Sequence, residues 1–264
     1  MRFALPLGLV LGLAFSLPAI AATGDQAPLK KLEWSFDGPF GTFNRADLQH
    51  GFQVYKEVCS ACHSLNRVAF HTLSQEGGPS FSDAQMKAIA AGYKIAAGPN
   101  DKGETVDDKG NPLTRAGTSA DTFPPPFPNE QASRFANGGS LPPDLSIIVK
   151  ARVGGPDYVY SLITGFGEKS PAGFKVSDGK FYNPYFLGWE IAMPPPLSDA
   201  QVTFVDGAPN KIADEAKAVV TFLAWTSEPH LEDRHHIGFG VMIFLIVLSG
   251  LLYLSYRRVW KDAH

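Results

Sequence analysis

The sequence predicts a mainly α-helical domain with long loop insertions, followed by one C-terminal transmembrane helix. Apolar side chains recur at helical spacing in several segments, and stretches rich in glycine and proline separate those segments. Near the C-terminus, the run from Ile237 to Tyr256 carries no formal charge. Because 44% of the 264 residues are hydrophobic and 19% are charged, the chain can form a packed core, and a disordered protein is excluded.

The N-terminal residues 1–21 have the pattern of a secretory signal peptide. Arg2 precedes an apolar run from Leu7 to Leu17, and the small residues up to Ala21 form a cleavage site for a signal peptidase. A first membrane span is the alternative, but this run is shorter than the roughly 20 residues that a bilayer requires. We therefore expect residues 22–235 to be exported, in a bacterium, to the periplasmic side of the inner membrane.

Two helices are predicted in the first hundred residues. Asn44 can cap the first helix, and that helix leads into both cysteines of the chain. Its apolar face consists of residues at helical spacing, namely Leu48, Phe52, Tyr55 and Cys59. The second helix begins at Ser82, runs through Met86 and ends near Gly98-Pro99.

Loops and shorter helices follow. From Gly98 to Gly139 glycine, proline, aspartate and asparagine are frequent, so we expect an extended loop or a docking surface. Short helices are predicted at Leu145–Val153 and Asp157–Ile163, and loops with a small hairpin from Lys169 to Trp189. A last helix before the membrane ends near Pro229. It is indicated by Asp214 and Glu215 in its first turn and by Ala216, Val219, Val220 and Leu223 on one face.

The uncharged run near the C-terminus predicts a transmembrane anchor at residues 236–257. As a helix, its 20 residues span about 30 Å, which is the thickness of the hydrocarbon layer. Basic residues collect on the cytoplasmic side of a span, so residues 258–264 are expected to form a cytoplasmic tail. The basic residues of this tail region are Arg257, Arg258 and Lys261. A buried core helix is the alternative interpretation.

Charge and cysteine content exclude several classes of protein. The 23 Lys and Arg residues face 26 Asp and Glu residues, and no dense basic cluster occurs. Nucleic acid is therefore not an expected partner. Two cysteines are too few for a disulfide scaffold or a four-cysteine zinc site.

The two cysteines belong to one motif, Cys59-Ser60-Ala61-Cys62-His63. Such a C-x-x-C-H segment is typical of c-type haem attachment, in which each thiol adds to one vinyl group and the histidine is the proximal iron ligand. A redox C-x-x-C motif requires a βαβ context, and a zinc site requires two further ligands. We therefore predict one covalently attached haem c, held by Cys59 and Cys62, with its iron bound by His63.

A methionine is the best candidate for the sixth iron ligand. A Met/His pair raises the reduction potential of the iron, as in electron carriers, whereas an open position admits other ligands. Met193 precedes Pro194-Pro195-Pro196, whose fixed backbone can hold the thioether in place. Met86 suits a helix core, and Met242 lies in the membrane run. The rival ligands are His50, His71 and the pair His235-His236.

Further segments form a pattern around the haem motif, which lies within Arg45–Leu65. They are Leu141–Ser146, Lys150–Arg152, Gly154-Gly155, Asp157-Tyr158, Thr164-Gly165, Tyr182–Phe186, Met193–Leu197, Phe222–Trp225 and Glu228-Pro229. In this order, the segments resemble the cytochrome c1 family, the haem-bearing subunits of cytochrome bc1 complexes. The resemblance covers essentially the whole chain after the signal peptide.

The resemblance implies a class I cytochrome c fold with long loop insertions. It also implies Met193 as the distal iron ligand and places Arg152 and Tyr158 near a haem propionate, where a guanidinium can pair with a carboxylate. The implied partners are cytochrome b, a Rieske iron–sulfur protein as electron donor, a cytochrome c as acceptor, and the lipid bilayer. Some bacterial members carry an extra cysteine pair near the distal ligand, which this chain lacks. Packing and prolines must therefore hold Met193 here.

The expected function is electron transport in a respiratory chain. As the resemblance implies, the chain would take electrons from the Rieske protein and pass them to cytochrome c during quinol oxidation coupled to proton translocation. The sequence shows no proton-transfer or nucleophilic constellation, so autonomous catalysis is not expected. The alternatives are a membrane-anchored cytochrome c subunit of another respiratory enzyme, and a haem sensor or peroxidase with an open iron site.

Overall fold

The structure is a computed structural model that describes residues 26–262, so the predicted signal peptide lies outside the described residues. This part of the chain contains six α-helices and two short antiparallel strand pairs, which confirms the mainly helical fold class. The helices are α1 (Arg45–Glu57), α2 (Asp83–Ala91), α3 (Glu130–Ala136), α4 (Gly155–Ile163), α5 (Ile212–Ser227) and α6 (Leu231–Val259). The strands are β1 (Lys94–Ala96), β2 (Thr114–Ala116), β3 (Phe181–Tyr182) and β4 (Glu190–Ile191).

Helices α1 and α5 pack against each other at the centre of the head domain, which we define as residues 26–230. Asn44 caps α1 as predicted, because its side chain accepts hydrogen bonds from two amides of the first turn. At the contact the backbones approach so closely that a Cβ on Gly51 would lie 2.1 Å from the carbonyl oxygen of Ala218. The rings of Phe52 and Phe222 are buried there, with centroids 5.8 Å apart.

Helix α2 begins as predicted but ends earlier. Ser82 and Gln85 form a capping box at its start. The helix stops at Ala91 rather than near Gly98-Pro99, because the following residues pair as β1 with β2. The predicted loop from Gly98 to Gly139 therefore contains β2 and α3 as well as irregular backbone.

The predicted helix at Leu145–Val153 is wrong, since this segment consists of consecutive turns. Asp144 Oδ1 accepts the backbone N–H of Ser146 at 2.9 Å, and the Ser146 hydroxyl accepts the N–H of Arg67 at 3.1 Å. The contact from Asp144 satisfies an amide of this segment locally and so competes with helical pairing, whereas the contact from Ser146 joins the segment to Arg67. The next predicted helix is confirmed as α4, which begins two residues earlier than expected, at Gly155.

The remaining elements of the head domain largely follow the sequence pattern. Strands β3 and β4 form the small hairpin expected after Lys169, although β4 lies just beyond Trp189. Helix α5 carries Asp214 and Glu215 in its first turn and ends at Ser227, next to the predicted stop.

Helix α6 is the membrane helix that the sequence predicts. Its 29 residues span about 44 Å, and it is the one helix within residues 26–262 that is long and apolar enough to cross a bilayer. The apolar side chains of its central part are exposed, as expected for a surface that contacts lipid. Near its end, the rings of Tyr256 and Trp260 lie 6.3 Å apart, a position typical of the membrane interface.

Candidate haem site

The C-x-x-C-H motif forms a tight turn directly after α1. The helix ends at Glu57, and Cys59–Ala61 form a 3-10 turn instead of continuing the predicted helix. The amides of Cys62 and His63 both donate to the carbonyl of Cys59, at 3.2 and 2.9 Å. This local pairing brings the two cysteines and the histidine together within one turn.

The imidazole of His63 is fixed by a residue far along the chain. Its Nδ1 lies 2.8 Å from the carbonyl oxygen of Pro143. Because a carbonyl only accepts, Nδ1 carries the proton, and the lone pair is left on Nε2, the atom that a proximal ligand needs. Burial also lowers the pKa of His63, against the opposing effects of this hydrogen bond and of Asp144. The neutral, oriented ring is the ligating form of histidine.

Asp144 holds the Pro143 segment against the motif. Its Oδ2 accepts hydrogen bonds from the hydroxyl of Ser64 and the amide of Asn66, both at 2.8 Å, and its Oδ1 binds the amide of Ser146. Burial raises the pKa of this carboxyl, but the hydrogen bonds outweigh burial, so the pKa lies below its usual range. The carboxylate therefore connects both segments that form the His63 side of the site.

We expect Asp144→Ala to destabilise the head domain by about 2 kcal/mol, because it leaves the amide of the buried Ser146 and the hydroxyl of the half-buried Ser64 without their acceptor. The substitution also frees the segment that carries the Pro143 carbonyl, so the haem content of the purified protein should fall. Denaturant unfolding and haem absorbance per chain measure the two effects. Asp101→Ala is the control, since Asp101 is exposed and its removal should stay within about 0.5 kcal/mol. Equal stability of both variants would contradict the role of Asp144.

The donor set and its surroundings fit a haem. The thiols of Cys59 and Cys62 are free, and Cys62 is exposed to solvent. Burial, with a smaller contribution from Cys62, raises the pKa of the Cys59 thiol to about 12, so this group is a neutral thiol at physiological pH. Nearby, the buried hydroxyl of Tyr93 has no partner among residues 26–262. Burial, with a smaller contribution from Tyr93, raises the pKa of Tyr55, whose hydroxyl donates to the carbonyl of His63 at 3.1 Å.

Met193 lies on a separate segment, directly after β4. It is half-buried in irregular backbone, as the neighbouring prolines predict. The chain that follows is fastened to both central helices: the amide of Val202 donates to Glu215 of α5 at 2.9 Å, and Gln53 of α1 donates to the carbonyl of Thr203 at 3.1 Å. The segments of Met193 and His63 are therefore both fixed to the α1–α5 pair, while iron ligation by Met193 stays a prediction.

The structure brings Arg152 and Tyr158 together. Arg152 lies on the turns before α4, its side chain is exposed, and it donates to the carbonyl of Ala151 at 3.1 Å. Burial raises the pKa of Tyr158, and the positive charge of Arg152 opposes that shift. Within residues 26–262 Arg152 forms no ion pair with a carboxylate. The remaining N–H groups of its exposed guanidinium are available to an anionic group such as a propionate.

Three of the four rival iron ligands have other partners, and the fourth, His236, is exposed on α6. His50 lies 2.9 Å from Asp206, His71 lies 3.2 Å from the carbonyl of Ser119, and His235 lies 3.2 Å from the carbonyl of Gly41. Met86 is 4% exposed and packs in the hydrophobic core, as predicted.

Sequence reasoning assigned no role to Pro143 or Asp144. The contact between His63 and Pro143 joins residues 80 positions apart through a backbone carbonyl, which leaves no trace in side-chain pattern. Asp144 does carry a local signal, because aspartate favours Asx turns, in which its side chain accepts the amide two residues later, here that of Ser146.

The chain is similar to known cytochromes c1 over most of its length. The model of the Cytochrome C1 family matches residues 34–263. Relatives include cytochrome c1 of Rhodospirillum rubrum (41% identical, covering 92% of each chain) and mitochondrial cytochrome c1 heme protein of Kluyveromyces lactis (48% identical, 86% of this chain and 72% of that protein). Cytochrome b/c1 of Bradyrhizobium diazoefficiens is 49% identical over 91% of this chain, which spans only 36% of that longer protein.

These matches agree with the geometry of the motif and with α6. They support a haem-bearing electron-transfer subunit of the bc1 complex and a single-pass membrane protein. The haem motif, the fixed His63 imidazole and the membrane helix all lie within the matched region. The chain therefore belongs to the cytochrome c1 family.

Proposed function

We propose that this chain carries one covalently attached haem c and passes electrons from a Rieske iron–sulfur protein to a cytochrome c. The observation that carries the proposal is the hydrogen bond between Nδ1 of His63 and the Pro143 carbonyl. It leaves Nε2 available in the turn that also presents Cys59 and Cys62. A bound haem would supply a one-electron iron couple at this position.

The chain's own residues have distinct tasks in this proposal. His63 and Met193 would bind the iron, and the methionine would raise its reduction potential. Arg152 and Tyr158 would hold a propionate, which is supported by the exposed guanidinium and its electrostatic interaction with the tyrosine. In this proposal no residue of the chain transfers a proton, so quinol oxidation and proton translocation belong to the assembled complex with cytochrome b.

In the proposed orientation, the head domain lies on the periplasmic side of the bacterial inner membrane. The basic residues at the end of α6 support this orientation, because Lys and Arg collect on the cytoplasmic side of a membrane span. The predicted signal peptide at residues 1–21 would direct export. Residues 258–264 would then form the cytoplasmic tail.

Covalent attachment gives a direct prediction for the cysteines. Cys59→Ser or Cys62→Ser alone should retain one thioether, so haem should stay with the chain on a denaturing gel. The pyridine ferrohaem band should move to longer wavelength, because one vinyl group stays conjugated with the porphyrin. The double variant should lose all haem on the gel. Haem retention by the double variant would contradict attachment through this motif.

A pull-down in mild detergent, read by optical and electron paramagnetic resonance spectroscopy, tests the place of the chain in a complex. We expect c-type haem in stoichiometric amount, b-type haems and a Rieske iron–sulfur signal to co-purify with the tagged chain. Co-purification with an oxidase or dehydrogenase that lacks b-type haem and a Rieske centre would overturn the assignment of partners. Carbon monoxide binding to the ferrous protein as isolated would instead indicate an open iron site.

A further inference from the structure

The loop before α1 contacts the membrane helix through an exposed phenyl ring. Phe40 is 75% exposed, and its ring packs edge-on against Phe239 of α6, with centroids 5.9 Å apart. Phe239 is the third residue of the uncharged run and lies about 3 Å along the helix from the start of that run. The ring of Phe40 is therefore at the level where α6 enters the apolar part of the bilayer.

The position of this ring is fixed by the backbone around it. Gly38 to Gly41 form a turn, which we call the Phe40 turn; Gly38 has a φ of 76°, and the amide of Gly41 donates to its carbonyl at 3.3 Å. A Cβ on Gly41 would lie 2.3 Å from the backbone carbon of Phe36, so the turn is closely packed. Phe36 itself is buried in the head domain.

Polar contacts fasten the same loop to the first turns of α6. Nδ1 of His235 donates to the carbonyl of Gly41 at 3.2 Å. Glu232 accepts the amide of Phe43 at 2.8 Å and pairs with Arg45 at 2.7 Å. These polar groups lie before the uncharged run, whereas Phe40 points to a residue within the run. The loop is thus polar on the water side and apolar on the membrane side.

We propose that the Phe40 turn is a second membrane contact of the head domain, with the Phe40 ring inserted among the lipids at the outer interface. Continuity with the exposed apolar surface of α6 identifies lipid as the occupant, because the ring extends a surface that already faces the bilayer. Interfacial segments place aromatic and apolar side chains at this depth. Two contact points, rather than the single helix, then define how the head domain is oriented over the membrane.

Site-directed spin labelling of the full chain in membrane vesicles tests the proposal. The nitroxide label is attached to the cysteine of Phe40→Cys. The unsubstituted chain is treated in the same way, and its signal measures any labelling of Cys59 and Cys62. Phe135→Cys is the matched control, because Phe135 on α3 is also a highly exposed phenylalanine (93%). Power saturation compares collisions with oxygen, which concentrates in lipid, and with a water-soluble nickel chelate.

We expect the ratio of oxygen to nickel collisions at position 40 to be severalfold higher than at position 135. A ratio equal to that of the control would place the ring in water and overturn the proposal. Low collision rates with both reagents would also overturn it, because a protein partner would then cover the ring. Unchanged far-ultraviolet circular dichroism of Phe40→Cys verifies that the fold is retained.

Discussion

Gly51→Ala is expected to destabilise the head domain by about 3 kcal/mol or more, although alanine is the better helix former. Its Cβ would lie 2.1 Å from the carbonyl oxygen of Ala218 and 2.7 Å from Cβ of Phe222. Both obstacles are backbone or the base of a side chain, so rotation cannot relieve the clash. Helices α1 and α5 must therefore separate, and buried contact area between them is lost.

The expected loss is a large part of the roughly 5 to 15 kcal/mol that stabilises a typical domain. Thermal unfolding of the purified chain in detergent, followed by circular dichroism, should show a decrease in Tm of about 10 °C. Gly250→Ala is the control, because Gly250 lies within helix α6 and a Cβ there would meet no atom within 4 Å. If the Tm of Gly51→Ala equals that of this control, the close crossing of α1 and α5 does not limit stability.

Met193→Leu should give the largest functional effect. Leucine fills a similar volume without a sulfur atom, so the sixth position of the iron would lose its ligand while the local packing is kept. The reduction potential should fall, and each decrease of about 59 mV makes electron acceptance tenfold less favourable. Electron transfer to the iron should therefore be strongly impaired when the reduction potential of the donor is higher than that of the iron in the variant.

Three measurements check this result: redox titration, the ferric absorption band of methionine–iron ligation at the red edge, and carbon monoxide binding. The band should disappear, and carbon monoxide should bind the ferrous protein. Met86→Leu is the matched control, since Met86 is buried in the core, and its spectrum and potential should match those of the unsubstituted chain. An unchanged spectrum in Met193→Leu would assign the sixth ligand to another residue.

Local signals predicted much of the helical framework. The Asn44 cap, the helix start at Ser82 and the acidic first turn of α5 are determined by neighbouring residues, and all three are present. The predicted helix at Leu145–Val153 is absent because Asp144 binds the amide of Ser146, a contact that sequence periodicity does not register. The pairing of β1 with β2 joins segments separated by a long loop and was likewise not foreseen.

The candidate site likewise has one part that the sequence predicted and one part that it did not. The motif around His63 is contiguous, so its chemistry was evident from the sequence. The orientation of the imidazole depends on Pro143, and the attachment of the Met193 segment depends on Glu215 and Gln53. These contacts join residues that lie far apart in the chain, and their pairing is determined by the tertiary fold.

Helix α1 has a mechanical consequence for the distance between the membrane helix and the haem motif. Its first residue, Arg45, is paired with Glu232 of α6, and its last residue, Glu57, is followed at once by the Cys59 turn. The 13 residues of α1 span about 20 Å. Lengthening or shortening the helix by one turn would displace the motif by about 5 Å along the helix axis. The distance between the Arg45–Glu232 contact and the haem motif is thus set by the length of a single helix.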